Sequence, residues 1–180
     1  MTSRRTTLTS FYESPVWEAH KDRANATMLN SDDVLLLRPA TRAPAFSALA
    51  KSRPPVVATG SQLALITATI HSIDAVVAEH ALRLFVNEVD PLLQHLGSRR
   101  ISILCTETAT NTYPDLPVRQ GESVIVRLAR FDSAQHHASH HKLLVDSRVW
   151  RKEVLPQLND YLNEDAVELR LRPTPRSRMR

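Results

Sequence analysis

Apolar and β-branched residues cluster in four stretches of the chain, and each stretch predicts a β-strand. These stretches are residues 65–70, 101–106, 123–131 and 166–171. Runs of this length and composition, bounded by turn or cap residues, are typical of strands. Helical spacing replaces this pattern between the first two strands and again between the last two. The predicted order is therefore β-α-β-β-α-β, which is the order of a ferredoxin-like α+β domain.

The helical stretches carry recognisable start and stop signals. The first begins at Ser72 and places apolar residues three and four positions apart as far as Gly97, which should end it with a left-handed residue. Pro91 should kink this helix, because proline lacks an amide hydrogen and its ring meets the preceding turn. The second begins at Asp132, where a glutamine three residues later completes a capping box, and ends near residue 146. A third, bent by a proline, begins at Ser147.

One segment of the chain occurs twice. Residues 14–39 and residues 147–173 both open on Ser-x-Val-Trp, continue as a helix, and end in an apolar strand closed by Arg-Pro. Repeats of this kind mark repeated structural units. We therefore predict that residues 14–40 are the end of a first unit and that residues 62–174 form a complete second unit.

The remaining stretches are predicted to be terminal or connecting. Residues 1–13 should be disordered, residues 41–61 have the proline-rich composition of a linker, and residues 175–180 form a basic tail. Within the first unit, the helix is predicted over residues 19–28 and a buried strand over residues 34–37.

Composition restricts the partners and the compartment. The formal net charge is +4, but the arginines that produce it lie near the two ends, so no nucleic-acid partner is predicted. No apolar run approaches the roughly 18 residues that a membrane span needs. The single cysteine, Cys105, excludes an internal disulfide and favours a reducing, cytoplasmic location. The first ten residues have the composition of a transit peptide, so a mitochondrial location is the alternative in a eukaryote.

Alternation along the last two strands predicts two unlike sheet faces. One face is apolar (Val124, Val126, Leu128; Val167, Leu169, Leu171), and the other mixes arginines with apolar groups (Ile125, Arg127, Ala129, Phe131; Glu168, Arg170, Arg172). Since helices cover only one face of such a sheet, we predict that a partner sheet covers the mixed face and encloses a partly polar cavity. This predicts a homodimer or a higher homo-oligomer.

Three motifs carry a resemblance to a known family. They are residues 14–39 (SPVWEAHKDRANATMLNSDDVLLLRP), the turn over residues 111–122 (NTYPDLPVRQGE), and the strand over residues 126–131 with the later Ser-Arg-Val-Trp. Over residues 14–174 the chain resembles NIPSNAP family proteins, which belong to the dimeric α+β barrel superfamily.

The resemblance implies a ferredoxin-like fold that pairs through its sheets. Family members commonly hold two such domains in tandem, whereas this chain lacks the front of the first. Relatives of the barrel fold include heme-binding and cofactor-free monooxygenases and small isomerases. The NIPSNAP resemblance transfers no catalytic residue, and we predict no cofactor.

Four histidines form the sharpest local pattern. On a helix, His136 and His140, like His137 and His141, are four residues apart, a spacing that suits zinc or nickel. No carboxylate or cysteine nearby in the sequence completes a ligand set. A solvated helix face explains the same residues, so we predict no metal centre and keep them as weak candidates.

Candidate ligand and catalytic residues lie in the long turn and at strand ends. Asn111, Tyr113 and Arg119 in the turn, with Arg170 in the last strand, are candidates for ligand contact, although a proline-pinned structural turn also explains the first three.

Glu107, His71 and Arg127 are candidates for catalysis, because burial can raise a carboxyl pKa toward neutrality. Ion pairs that hold a dimer explain them equally well.

Two functions remain open from the sequence. The first is a NIPSNAP-type protein of undefined biochemistry that acts by binding and assembly and is not an enzyme. The alternative is a cofactor-free monooxygenase or isomerase that acts on a small hydrophobic ligand in the barrel cavity. A closed cavity at Arg127 and Arg170 would favour the alternative.

Overall fold

The structure is a computed structural model that describes residues 2–30, 33–41, 55 and 64–179. It divides into two compact units, residues 1–37 with 106–121 and residues 38–105 with 122–180. The predicted proline-rich linker, residues 41–61, lies outside the described residues except for positions 41 and 55.

The first unit contains two helices, α1 (Thr2–Tyr12) and α2 (Pro15–Asn25). The prediction of a disordered start is wrong, because aromatic contacts hold the end of α1. Phe11 and Tyr12 lie 5.4 and 5.0 Å from Trp17, measured between ring centroids. The helix predicted over residues 19–28 starts earlier because Ser14 caps it and a proline, which needs no amide partner, occupies its first position.

The second unit is built on a five-stranded sheet in the order β1-β3-β4-β2-β5. Its strands are β1 (Leu37–Pro39), β2 (Leu65–Ile73), β3 (Arg99–Thr106), β4 (Ser123–Phe131) and β5 (Val167–Leu171). β4 pairs antiparallel with β2 and β3, and β2 pairs antiparallel with β5. The ferredoxin-like α+β prediction is confirmed.

The first strand of the sheet lies later in the chain than predicted. Residues 33–36 are not a strand, because their carbonyls serve the long turn instead. The Val34 carbonyl accepts from the Arg119 amide at 2.9 Å, and the Leu36 carbonyl accepts from the Glu107 amide at 2.8 Å. Only Leu37–Pro39 joins the sheet.

Each long helical stretch contains a π-turn that ends two residues before its proline. The first runs through α3 (Ala78–Leu84), a π-turn (Phe85–Val89) and α4 (Asp90–His95). The second, after α5 (Ala134–Asp146), runs through a π-turn (Trp150–Val154) and α6 (Leu155–Asn159). Pro91 and Pro156 have no amide hydrogen to donate to the carbonyl one turn earlier, and the helix accommodates each of them by a π-turn. A kink was predicted at these positions.

The caps partly differ from the prediction. The first helical stretch starts at Asp74 and not at Ser72, because β2 continues to Ile73 and the Asp74 carboxylate accepts from the Val76 amide at 2.8 Å. Ser133, not Asp132, caps α5 by accepting from the His136 amide at 3.0 Å. The Asp132 carboxylate instead accepts hydrogen bonds from Arg99 and Arg130.

The two Ser-x-Val-Trp motifs have the same local geometry. Ser14 Oγ accepts from the Trp17 amide at 3.1 Å, and Ser147 Oγ accepts from the Trp150 amide at 3.2 Å. The predicted cap at Ser147 is therefore present. Gly97 has φ 105°, a positive value that a side chain would strain.

The helices cover the mixed face of the sheet, which corrects the predicted arrangement. The main core cluster joins sheet residues Ile73, Ile103 and Ile125 to helix residues such as Phe85 and Leu158. Ile125 alternates with Val124 and Val126, so the apolar face points away from the helices. Val124 and Val126 at its centre are buried, whereas Val167, Leu169 and Leu171 of β5 are 52, 47 and 46% exposed.

Candidate functional site

A buried ion pair joins the helix layer to the centre of the sheet. Asp90 opens α4 and is 0% exposed, and Arg127 lies in the middle of β4 and is 4% exposed. Arg127 Nε donates to Asp90 Oδ1 at 2.8 Å. Arg127 alternates with the apolar residues that face away, so its guanidinium points into the helix layer where Asp90 lies.

Neighbouring groups satisfy the remaining polar atoms of this pair. Arg127 also donates to Ser98 Oγ at 2.6 Å, while Asp90 Oδ2 accepts from Arg100 at 2.8 Å and from Gln94 at 2.9 Å. Burial lowers the pKa of Arg127, and the Asp90 carboxylate opposes that shift. Because both carboxylate oxygens and two of the three guanidinium nitrogens are engaged inside the core, the pair has a structural role.

His71 lies in the same layer and is 8% exposed. Its ring packs edge-on against Phe85, with 5.0 Å between centroids. Burial lowers the pKa of His71 to about 4, and the positive charge of Arg127 acts in the same direction. The side chain is therefore neutral at physiological pH. Its Nδ1 has no hydrogen-bond partner among the described residues.

Three of the four histidines of α5 pack around one aromatic ring. His136, His137 and His140 surround the Phe131 ring at 5.6, 4.8 and 5.2 Å between centroids. His140 Nδ1 lies 2.9 Å from the Leu96 carbonyl oxygen. Burial lowers the pKa of His140, and the Leu96 hydrogen bond opposes the shift.

These contacts make the histidine motif part of the packing between α5 and the sheet. His141, the fourth member, is exposed. Within the part of the chain that the structure describes, no three His, Cys, Asp or Glu side chains are grouped to hold a metal ion.

The candidates of the long turn are held by contacts within the first unit. Asn111 Oδ1 accepts from Arg4 at 2.7 Å and from the Tyr113 amide at 3.0 Å. Tyr113 stacks on Tyr12 with 5.7 Å between centroids. Arg119 donates to Asp33 at 3.2 Å. These contacts give the three residues a structural role in fixing the turn.

Glu107 and His71, the candidates for acid–base chemistry, belong to different units of the fold. Glu107 belongs to the first unit, where its carboxylate accepts from the Ala109 amide at 2.9 Å. His71 belongs to the second unit. Cys105 is buried.

The remaining candidate, Arg170, lies at the edge of the sheet. It donates to Glu168 Oε1 at 2.9 Å, and Glu168 Oε2 lies 3.3 Å from His137 Nε2. Burial alone would raise the pKa of Glu168, but its bonds with Arg170 and His137 outweigh burial and lower it. The Arg170 side chain is 65% exposed, so its guanidinium remains accessible. It lines an open groove beside α5.

Sequence reasoning missed Asp90, Ser98 and Glu168. A signal for Asp90 exists, since it follows Val86 by four residues on the apolar side of the helix, and Arg127 interrupts an apolar strand face. Opposite charges at two positions that the pattern assigns to the interior indicate a buried pair.

Only the comparison with solved structures finds proteins similar to this chain. No protein-family model matches the chain, and a comparison with curated proteins finds no match. Among solved structures, a NIPSNAP family protein from Agrobacterium tumefaciens is 18% identical, with a TM-score of 0.53 over 68% of this chain and 96% of that one. The chain has the NIPSNAP fold. At this identity the likeness concerns the fold alone.

Two further structures show weaker likeness. An uncharacterised NIPSNAP domain protein from Burkholderia xenovorans is 17% identical, with a TM-score of 0.47 over 61% of this chain and 94% of that one. A monooxygenase from Streptomyces coelicolor, in complex with nanaomycin D, is 10% identical, with a TM-score of 0.42 over 63% of this chain and 89% of that one. The NIPSNAP resemblance predicted from the sequence is confirmed. No described helix has both the length and the apolarity for a membrane crossing.

Proposed function

We propose that this chain is a NIPSNAP-type protein that acts by binding and assembly, as a homodimer or higher homo-oligomer joined through its sheet face. The face in question is the apolar one, turned away from the helices. One observation carries the proposal: Val167, Leu169 and Leu171 leave about half of each side chain exposed in a row along β5. A row of apolar side chains on an edge strand is self-complementary in a two-fold dimer.

The candidate catalytic residues of the mixed face are engaged in internal packing, which favours assembly over catalysis. Arg127 is engaged by Asp90 and Ser98, and His71 is buried against Phe85. Among the described residues, no observation favours a monooxygenase or isomerase site at these positions. The protein is proposed to work in the cytoplasm, where the buried thiol of Cys105 stays reduced.

The repeat is proposed to have structural meaning as well. Residues 14–40 are taken as the end of a first NIPSNAP-like unit, and residues 62–174 as a complete one. The matching serine caps at Trp17 and Trp150 support this reading. β1 and β5, the strands that end the two copies, also occupy opposite edges of one sheet.

The test is the solution mass of the full chain measured by light scattering, with Leu169→Arg as the disrupting variant. We expect the native chain to be a dimer or larger and Leu169→Arg to weaken association by about 100-fold, because each half-buried leucine is lost twice in a symmetric interface. Leu143→Arg is the matched control, since Leu143 on α5 is 53% exposed but faces the helix side. A monomeric native chain, or a Leu169→Arg variant that assembles as well as the control, would contradict the proposal.

A further inference from the structure

An open groove of about 920 Å³ lies between α5 and the edge of the sheet formed by β2 and β5. Its apolar wall includes Leu65 of β2 and Ala138 of α5, and its polar wall includes His137, His141, Arg170 and Arg172. The volume is within the range of small-molecule sites, roughly 300–1,000 Å³. All of these residues belong to the second unit.

The charges of the groove have one sign. Arg170 and Arg172 are two positions apart along the extended end of the chain, so both project to the side of the sheet that α5 covers. The described lining contains no aspartate or glutamate. Glu168, the nearest carboxylate along β5, is occupied on one oxygen by Arg170 and on the other by His137.

The two arginines therefore differ in what they can offer. Arg170 shares its guanidinium with Glu168. Arg172 is exposed and forms no ion pair with another described residue. A guanidinium beside an apolar wall binds carboxylate and phosphate groups through paired, charge-assisted hydrogen bonds.

We propose that this groove binds small anionic amphiphiles, molecules with a carboxylate or phosphate head and an apolar body. The head pairs with Arg172 and the free edge of Arg170, and the body lies along Leu65 and Ala138. This site goes beyond assembly through the apolar face, because its residues lie on the helix side of the sheet.

Calorimetric titration of the full chain with octanoate, octyl phosphate, octan-1-ol and inorganic phosphate tests the chemistry. We expect octanoate and octyl phosphate to bind at least about 10-fold more tightly than octan-1-ol or inorganic phosphate, and their binding to weaken as salt screens the arginines. If octan-1-ol binds as well as octanoate, or inorganic phosphate as well as octyl phosphate, the proposal is overturned.

Two variants locate the site. Arg172→Gln should weaken octanoate binding about 10-fold, while Arg151→Gln, which removes the same charge from an exposed position outside the groove, should not. Ala138→Phe should fill the groove and abolish binding, and Ser139→Phe, at the next exposed position of α5, should leave it intact. Octanoate binding that survives both Arg172→Gln and Ala138→Phe places the ligand elsewhere and refutes the proposal. Solution mass measured on the same samples reports assembly separately.

Discussion

Arg127 and Arg170 lie on the same face of one sheet, yet the fold uses them in opposite ways. Arg127 is in the central strand β4 and is 4% exposed, with its carboxylate partner completely buried. Arg170 is in the edge strand β5 and is 65% exposed, with a partner that is 34% exposed. Both form ion pairs at 2.8–2.9 Å. The comparison teaches that burial, and not pairing distance, decides whether an arginine is structural or available to a ligand.

The largest expected effect comes from removing the buried partner. Asp90→Ala leaves Arg127 charged and uncompensated in the core, so we expect a loss of about 3–5 kcal/mol in the free energy of unfolding. Urea unfolding followed by circular dichroism measures it. Asp132→Ala is the control, because Asp132 also accepts from two arginines but its side chain is 48% exposed, and it should cost less than about 1 kcal/mol. Equal losses in the two variants would refute the contrast between buried and exposed pairs.

A pH series sharpens the buried half of the comparison through His71. Burial lowers the pKa of His71 from 6.5 to about 4 in the folded chain. Below pH 6.5 the unfolded chain binds a proton at this histidine and the folded chain does not, so the free energy of unfolding is highest above pH 6.5 and falls as the pH approaches 4. The shift corresponds to about 3 kcal/mol at most. His71→Gln should flatten the fall in unfolding free energy between pH 7 and pH 4. A variant whose stability follows the same pH curve as the native chain would show that His71 is not the group responsible.

The smallest effect is expected at the exposed pair. Glu168→Gln weakens the link to Arg170 and to His137, and because the Arg170 side chain is mostly solvated, the loss should be about 1 kcal/mol or less. Thermal unfolding monitors the change, with Glu18→Gln on α2, an exposed pair with Lys21, as control. A loss as large as that of Asp90→Ala would mean that the edge pair is structural too.

The same contrast explains what could be predicted from the sequence. Strand β4 was predicted with its bounds intact, because alternation over nine residues leaves little freedom. The ferredoxin-like order followed from that periodicity. The face covered by helices was assigned wrongly, since alternation separates two faces but does not say which one the helices cover. The Asp90–Arg127 pair was missed because it joins residues 37 positions apart, and Arg127 alone resembles a ligand-binding arginine.

Caps and terminal structure depended on contacts that the local sequence does not display. Asp132 and Ser133 are both good cap residues. Ser133 caps the helix because the Asp132 carboxylate accepts hydrogen bonds from Arg99 and Arg130. α1 was missed because its helix has a weak pattern of its own and is held by aromatic rings and by the bond from Arg4 to Asn111.

The direction in which Asp90 points depends on the number of residues in the π-turn at Phe85–Val89. A π-turn accommodates one more residue than an α-helical turn, and a single residue corresponds to a rotation of about 100° around the axis. Deleting one residue from this turn would rewind the segment into an ordinary helix and rotate the two halves of the helix against each other. Asp90 would then swing off the sheet while its sequence neighbours stayed the same. The length of this turn is therefore constrained as tightly as its buried side chains, Phe85 and Val89.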